Sequence, residues 1–179
     1  MMLASLSLIV SGCLVVEELR YRFEFDAEDK NSGKFEIVYY GIKSSETEKN
    51  KITEDYNDLP KEIALEEEDL KKQGLILKER EIKIEGKEKL CFHLKGTFQK
   101  KDIFNKENPI FIEHNKEVFL IEGIEKGWKT RSPGRVIETE MNVIIVWPSS
   151  TKSLEWTMVL EKFKILPDNL TQIYLNDKK

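Results

Sequence analysis

Cysteine and histidine, which build many catalytic and metal centres, are scarce in this chain. Its 179 residues include two Cys and two His, too few for a disulfide framework or a Cys- and His-rich metal site. It also has no Walker loop, dinucleotide-binding glycine motif, G-x-S-x-G elbow or H-E-x-x-H helix. The sequence therefore predicts no metal and no cofactor, and it predicts a protein that is not an enzyme.

An excess of positive charge is also missing. The 29 Lys and Arg are outnumbered by 33 Asp and Glu, which gives a net charge of −4 and argues against a nucleic-acid partner. With nine Gly, five Pro and 40% hydrophobic residues, the composition is that of a folded domain rather than a disordered or collagenous chain. A chain of this size buries roughly 70% of its unfolded surface, so one hydrophobic core suffices.

Residues 1–12 carry no charged side chain and form an apolar window. They are too few for a membrane-spanning helix of ~20 residues, but they match the ~7–15-residue apolar region of a secretory signal. The window ends in Val10-Ser11-Gly12-Cys13, which resembles the lipobox of bacterial lipoproteins. The resemblance implies that residues 1–12 are a lipoprotein signal, that residues 13–179 are a single envelope domain, and that the Cys13 thiol is lipidated.

Acyl chains such as palmitate on Cys13 would anchor the domain to a membrane, because each buried CH₂ contributes ~0.8 kcal/mol and several chains act together. In a Gram-negative cell, Leu14 after the anchor resembles an outer-membrane sorting signal, so the domain would face the periplasm or the cell surface. Signals usually begin with Lys or Arg, and none precedes Arg20, so either the start lies upstream or the signal is atypical. The alternative is a cytosolic protein in which this segment is a buried strand or helix.

The residues after Val16 alternate between apolar and charged types, which is typical of half-buried β-strands. A turn-forming segment, residues 26–33, separates the first alternating run from a second, so the two predict an antiparallel hairpin. The residues predicted to face the core are Leu19, Tyr21, Phe23, Phe25, Phe35, Ile37 and Tyr39.

A capping-box pair, Ser45 and Glu48, precedes a segment with helical spacing of apolar residues. We expect Pro60 to break or kink this helix and Gly74 to end it. Residues 44–72 contain ten Asp and Glu against five Lys; such an acidic face is usually solvated, and the alternative is a docking surface. The apolar positions of the helix are Ile52, Tyr56, Leu59, Ile63 and Leu70.

The rest of the chain predicts more strands. These are hairpins over 75–99 and 110–121, strands over 142–147 and 154–166, a loop over 123–135 and a polar tail over 167–179. Because no strand–helix–strand alternation recurs, the fold class is predicted to be α+β. Its form is a curved antiparallel sheet built from hairpins with one amphipathic helical segment packed on it.

A basic segment between residues 123 and 135 is the strongest candidate for ligand contact. Its cations suit phosphates or anionic head groups, and its Trp suits an apolar–polar boundary. The alternative is a solvated loop whose Trp packs on the core. The candidate contact residues are Lys126, Trp128, Lys129, Arg131 and Arg135.

His93 and Cys91 belong to one predicted strand, on the face opposite the core. A surface imidazole is the favoured interpretation of His93, and a Cys/His nucleophile is the alternative. The second histidine, His114, falls at a predicted hairpin turn.

The order of elements resembles the mycobacterial LppM-type lipoprotein domain. The shared features are Cys13, the acidic turn to Gly33, the charged helix around Ile63, the segment Pro133-Gly134-Arg135-Val136, and a strand ending at Trp147. The resemblance implies an α+β domain associated with envelope lipids or glycolipids, without a known catalytic centre. This chain departs from the pattern in having no C-terminal membrane helix and in carrying an extra hairpin over residues 110–121.

Together these features predict a membrane-anchored envelope lipoprotein whose domain binds a lipid or amphiphile and does not catalyse. The alternative function is an accessory structural subunit that docks on an envelope protein complex through the acidic helix or an exposed strand edge. A third hypothesis, an envelope hydrolase, requires a cleft with perturbed titratable groups.

Overall fold

The computed structural model describes residues 14–29, 31–86, 88–105, 107, 109–123, 127–161 and 167–178, without the side chains of 62–66. The proposed signal, Cys13 and Lys126 therefore lie outside the described residues. The elements are β1 Leu14–Phe25, β2 Ser32–Ser44, α1 Lys49–Lys72, β3 Leu75–Glu85, β4 Lys89–Gln99, α2 Lys100–Ile103, β5 Ile112–His114, β6 Glu117–Gly123, β7 Trp128–Arg131, β8 Arg135–Glu138, β9 Asn142–Pro148, β10 Ser153–Leu160 and α3 Asn169–Asp177.

The predicted hairpin at the start of the described chain is confirmed. Strands β1 and β2 pair antiparallel, with Tyr21 opposite Ile37 and Phe23 opposite Phe35. Because side chains alternate between the two faces of a strand, these residues share one face, and all four are buried. The predicted hairpins β3–β4 and β5–β6 are also present.

The α+β class is confirmed, and the strands form two antiparallel sheets. The six-stranded sheet has the order β3-β4-β2-β1-β10-β7, and the four-stranded sheet has the order β5-β6-β9-β8. Both sheets are open, with edge strands at either end. The sequence pattern does not separate one sheet from two, because core-facing residues alternate in the same way in both.

Aromatic side chains join the two sheets into one core. Tyr21 stacks on Trp156 at 4.6 Å between ring centroids, and Phe111 meets Phe23 edge-on at 5.2 Å. From the second sheet, Trp147 lies 6.2 Å from Trp156. Aromatic pairs at these distances contribute roughly 0.5–1.5 kcal/mol each beyond their buried area, so this cluster holds the sheets face to face.

Helix α1 differs from the prediction at its start and at Pro60. Its N-cap is Glu48 and has no side-chain cap, so the predicted capping box with Ser45 does not form. The helix continues through Pro60 and ends before Gly74, whose φ of +78° suits a helix stop. Leu59 and Leu70, both on this helix, are buried, and this packing outweighs the local cost of Pro60, roughly 3 kcal/mol.

Three further elements correct the sequence-based expectations. The predicted loop over 123–135 contains strand β7, which pairs with β10 through Met158 opposite Thr130. The predicted polar tail contains helix α3. Strand β10 ends at Leu160, and residues 162–166 of the strand predicted over 154–166 lie outside the described residues.

We expect Gly96→Ala to destabilise the fold by about 2 kcal/mol, because a Cβ at this position overpacks the closely paired strands β3 and β4. An added Cβ would lie 2.1 Å from the carbonyl oxygen of Ile76 and 2.5 Å from the Phe35 ring. Denaturant unfolding of this variant beside Gln99→Ala, an exposed site on the same strand, measures the effect. Equal stability of the two variants would show that the paired strands β3 and β4 can move apart to accommodate the methyl group.

Candidate functional site

The outer face of the six-stranded sheet, which points away from the core, carries a groove of about 650 Å³. One cross-strand row runs along it: Arg131 is opposite Thr157, which is opposite Arg20. The row continues through Val38 to His93. Because paired residues on neighbouring strands point to the same side, the antiparallel register brings together three basic side chains that are far apart in sequence.

His93 is the most enclosed polar residue of this groove. It is 4% exposed, so the prediction of a surface imidazole is wrong. Its Nδ1 lies 3.2 Å from Glu36 Oε1, and its Nε2 lies 3.1 Å from Glu85 Oε1. The second contact lacks hydrogen-bond geometry, which leaves Nε2 buried without a hydrogen-bond partner. Side chains on neighbouring strands cover the ring, and the alternation pattern of one strand cannot predict this burial.

The pKa of the Glu36 carboxyl depends on His93 and on Lys95 nearby. Burial opposes its ionisation, but the hydrogen bond to His93 and the positive charge of Lys95 lower its pKa below the ordinary value. Glu36 is therefore a carboxylate at neutral pH. A carboxylate lies against each ring nitrogen of His93, so neither nitrogen is open to a ligand. This arrangement disfavours a role of His93 in proton transfer.

Cys91 lies two residues before His93 and is fully buried. Its thiol donates to the Lys89 carbonyl at 3.4 Å, and burial raises its pKa. A thiol held protonated is a poor nucleophile. Among the described contacts, both ring nitrogens of His93 meet carboxylates, so the Cys/His alternative gains no support from the geometry.

The arginines of the groove differ in how far they are neutralised. Arg20 pairs with Glu18 at 2.8 Å and lies over the Tyr40 ring at 4.0 Å. Arg22 contacts Glu24 at 3.1 Å and Glu155 at 3.3 Å. Lys83 pairs with acids of its own strand, Glu81 and Glu85. Arg131 is exposed and has no ion pair with any described residue.

The structure separates the described members of the predicted contact set. Trp128 packs against the core, whereas its strand neighbours Lys129 and Arg131 point to the other side. Lys129 is paired with Glu161 at 3.3 Å. Arg135 belongs to the four-stranded sheet and pairs with Glu117 at 3.6 Å. Of the four described candidates, Arg131 alone lines the groove.

Sequence reasoning did not include Arg20, Arg22 or His93 in the site. The alternating sequence pattern could have indicated these residues, since every second residue of β1 and β4 faces away from the core. The missing information was the strand order, which places β1 between β2 and β10 and so aligns these residues with Arg131.

Two further properties of the described residues bear on function. No group of three or more His, Cys, Asp and Glu side chains among them is arranged to hold a metal ion. None of the described helices has the length and apolar character needed to cross a membrane.

Comparison of the chain with protein-family models, curated proteins and solved structures returns no match.

Proposed function

We propose that this protein is a lipid-anchored envelope domain that binds an anionic amphiphile in the groove of its six-stranded sheet and does not catalyse. The observation that carries the binding proposal is Arg131, an exposed cation that lines the groove without an acidic partner among the described residues. The lipobox resemblance at Cys13 supports the anchoring proposal.

The groove has the size and charge for a small head group. Its volume of about 650 Å³ falls in the range of ligand sites, roughly 300–1,000 Å³. Its other charged lining residues already have ion-pair partners, so a ligand with one negative charge would complete the balance at Arg131. A guanidinium suits a phosphate or carboxylate because its paired donors match two oxygens.

Binding is tested with vesicles of anionic phosphatidylglycerol, vesicles of phosphatidylcholine, and soluble glycerol phosphate. We expect binding to the anionic vesicles, and we expect Arg131→Gln to weaken it at least tenfold, because a charged hydrogen bond contributes roughly 1.5–3 kcal/mol. The matched control is Arg135→Gln, which removes an exposed arginine from the other sheet and should leave binding unchanged.

The three probes separate the sources of the anion. Binding of glycerol phosphate alone would identify a soluble phosphate ligand, and binding of vesicles would identify a membrane head group. Equal weakening by both arginine variants would indicate attraction to general positive charge and would overturn the groove as the site. Absence of binding to all three probes would overturn the ligand class.

The anchoring proposal has its own measurement. Intact-mass analysis of the protein expressed with its upstream region should give residues 13–179 plus acyl chains, and Cys13→Ser should abolish the added mass. An unmodified full-length chain would overturn the anchor while leaving the groove experiment unaffected.

A further inference from the structure

A second cleft, of about 390 Å³, lies where strand β1 ends at Phe25 and the turn of residues 149–152 joins β9 to β10. Its other walls come from Phe104, which follows α2, and from strands β5 and β6. All of its lining residues differ from those of the groove on the six-stranded sheet. Its volume is near the lower limit of small-molecule sites, roughly 300–1,000 Å³, so the cleft suits a small ligand.

Two phenyl rings form the apolar part of this cleft. Phe25 and Phe104 are partly buried, and their ring centroids lie 6.3 Å apart. Phe98 meets Phe25 edge-on at 5.6 Å. Phe111 lies 5.8 Å from Phe104. Because core packing fixes both rings, they offer a ligand a preformed apolar surface.

Hydroxyl groups form the polar part of the cleft. The turn residues 149–151, Ser-Ser-Thr, line it, and their hydroxyls make no hydrogen bond to any other described residue. Two backbone hydrogen bonds attach the turn to the rest of the molecule. Ser149 N donates to the Lys116 carbonyl at 2.8 Å, and Phe25 N donates to the Lys152 carbonyl at 2.9 Å. Since a hydroxyl both donates and accepts, this wall matches a ligand that does the same.

The charges of the lining residues balance. Lys100 pairs with Glu113 at 3.0 Å. The carboxyl of Asp26 accepts two backbone N–H groups of its own turn, which lower its pKa and keep it ionised at neutral pH. Lys152 is exposed and has no ion pair with any described residue. With two acids and two bases in its lining, the cleft favours a ligand without net charge.

We propose that this cleft binds a neutral saccharide, with one sugar ring against Phe25 and Phe104 and its hydroxyls on residues 149–151. A sugar ring has apolar C–H groups on its faces and hydroxyls around its edge, so it matches both parts of the cleft. An acyl chain would displace water from the turn hydroxyls and leave them without partners. The phosphate of a nucleotide would be repelled by Asp26 and Glu113. The site is independent of the anionic ligand proposed for the groove.

NMR titration of the full chain carrying Cys13→Ser, which prevents acylation, tests the proposal. The probes are methyl glucoside, methyl mannoside, methyl galactoside and N-acetylglucosamine. We expect at least one to bind with a dissociation constant of about 1 mM, as suits a small neutral ligand, and to shift the amide resonances of residues 149–152. Cyclohexanol has a ring of the same size with a single hydroxyl, and it should bind at least tenfold more weakly.

A pair of matched double variants isolates the hydroxyls. Ser150→Ala with Thr151→Val removes two side-chain hydroxyls that make no hydrogen bond to a described residue, so the variant should fold normally and bind the sugar at least tenfold more weakly. The control is Ser45→Ala with Thr47→Val, two exposed positions beyond the opposite end of the β1–β2 hairpin. It should leave binding unchanged.

Further probes identify the source of the sugar. Phosphatidylcholine vesicles that contain galactosyl diacylglycerol, compared with methyl galactoside, distinguish a membrane glycolipid from a free saccharide. Absence of shifts at residues 149–152 with every sugar would overturn the proposal. So would cyclohexanol or the anion glucuronate binding as tightly as the neutral sugars, or equal weakening by the two double variants. Arg131→Gln should leave sugar binding unchanged, so this proposal and the groove proposal fail separately.

Discussion

The free energy of unfolding should fall by about 3 kcal/mol as the pH rises from about 4.5 to above 7, because of one buried carboxyl group. Glu122 is 8% exposed, and its side chain points from β6 into the core. Burial raises its pKa from 4.5 to about 7, and the nearby indole N–H of Trp156 offsets only part of this increase. Its Oε2 atom has no hydrogen-bond partner among the described residues.

The direction of this effect follows from proton binding. Between pH 4.5 and 7 the folded chain holds a proton on Glu122 that the unfolded chain has released, so raising the pH favours unfolding. The stabilisation is complete below the unfolded pKa and lost as the pH rises through the folded value. Glu36 and Asp168 act in the opposite direction, because their pKa values are lowered and their stabilisation is lost only in more acidic solution.

Glu122→Gln isolates this contribution. The variant keeps the size of the side chain and removes its charge, so we expect a gain of about 3 kcal/mol at about pH 8 and little change at about pH 5. Urea unfolding across this pH range measures the effect, and Glu138→Gln, an exposed position on β8, provides the control. A wild-type profile that is flat or rises between these pH values, or a decline that persists in Glu122→Gln, would contradict the assignment.

The sequence predicts local features of this fold better than their assembly. The alternation of apolar and charged residues along β1 predicts that Tyr21 and Phe23 are buried, and the conformational freedom of Gly74 predicts the end of the helix. The effect of Pro60 is not local, because the helix is held by the burial of Leu59 and Leu70 against other elements. Tertiary packing of this kind overrides the preference of a single residue.

The candidate site depends on information that adjacent residues do not contain. Strand β7 is four residues long and lies within a segment rich in Gly, Pro and charged residues. The local sequence pattern therefore does not predict its pairing with β10. That pairing nevertheless decides that Arg131 belongs to the groove and that Trp128 belongs to the core. The burial of His93 likewise depends on Glu36 and Glu85, which neighbouring strands supply.

Lys43→Ala should destabilise the protein by about 3 kcal/mol, because it removes one member of a buried ionic network. The Lys43 side chain is 5% exposed, and its Nζ lies 2.6 Å from Glu17 Oε1 and 3.1 Å from Asp168 Oδ1. Lys89 reaches the same two carboxylates. Although burial opposes its charge, these carboxylates raise the pKa of Lys89. The network thus connects the start of α3 to strands β1, β2 and β4.

The cost arises because Lys43→Ala leaves two carboxylates to share one lysine in a partly buried place. Lys51→Ala provides the control, since Lys51 is half exposed and its pairs with Glu46 and Glu48 lie at the surface; we expect a change within about 0.5 kcal/mol. Adding Asp168→Asn to Lys43→Ala removes the excess negative charge, so the double variant should lose less stability than the sum of the single variants. Strict additivity, or a loss from Lys43→Ala no larger than that from Lys51→Ala, would show that the lysine stem rather than its charge holds α3 against the sheet.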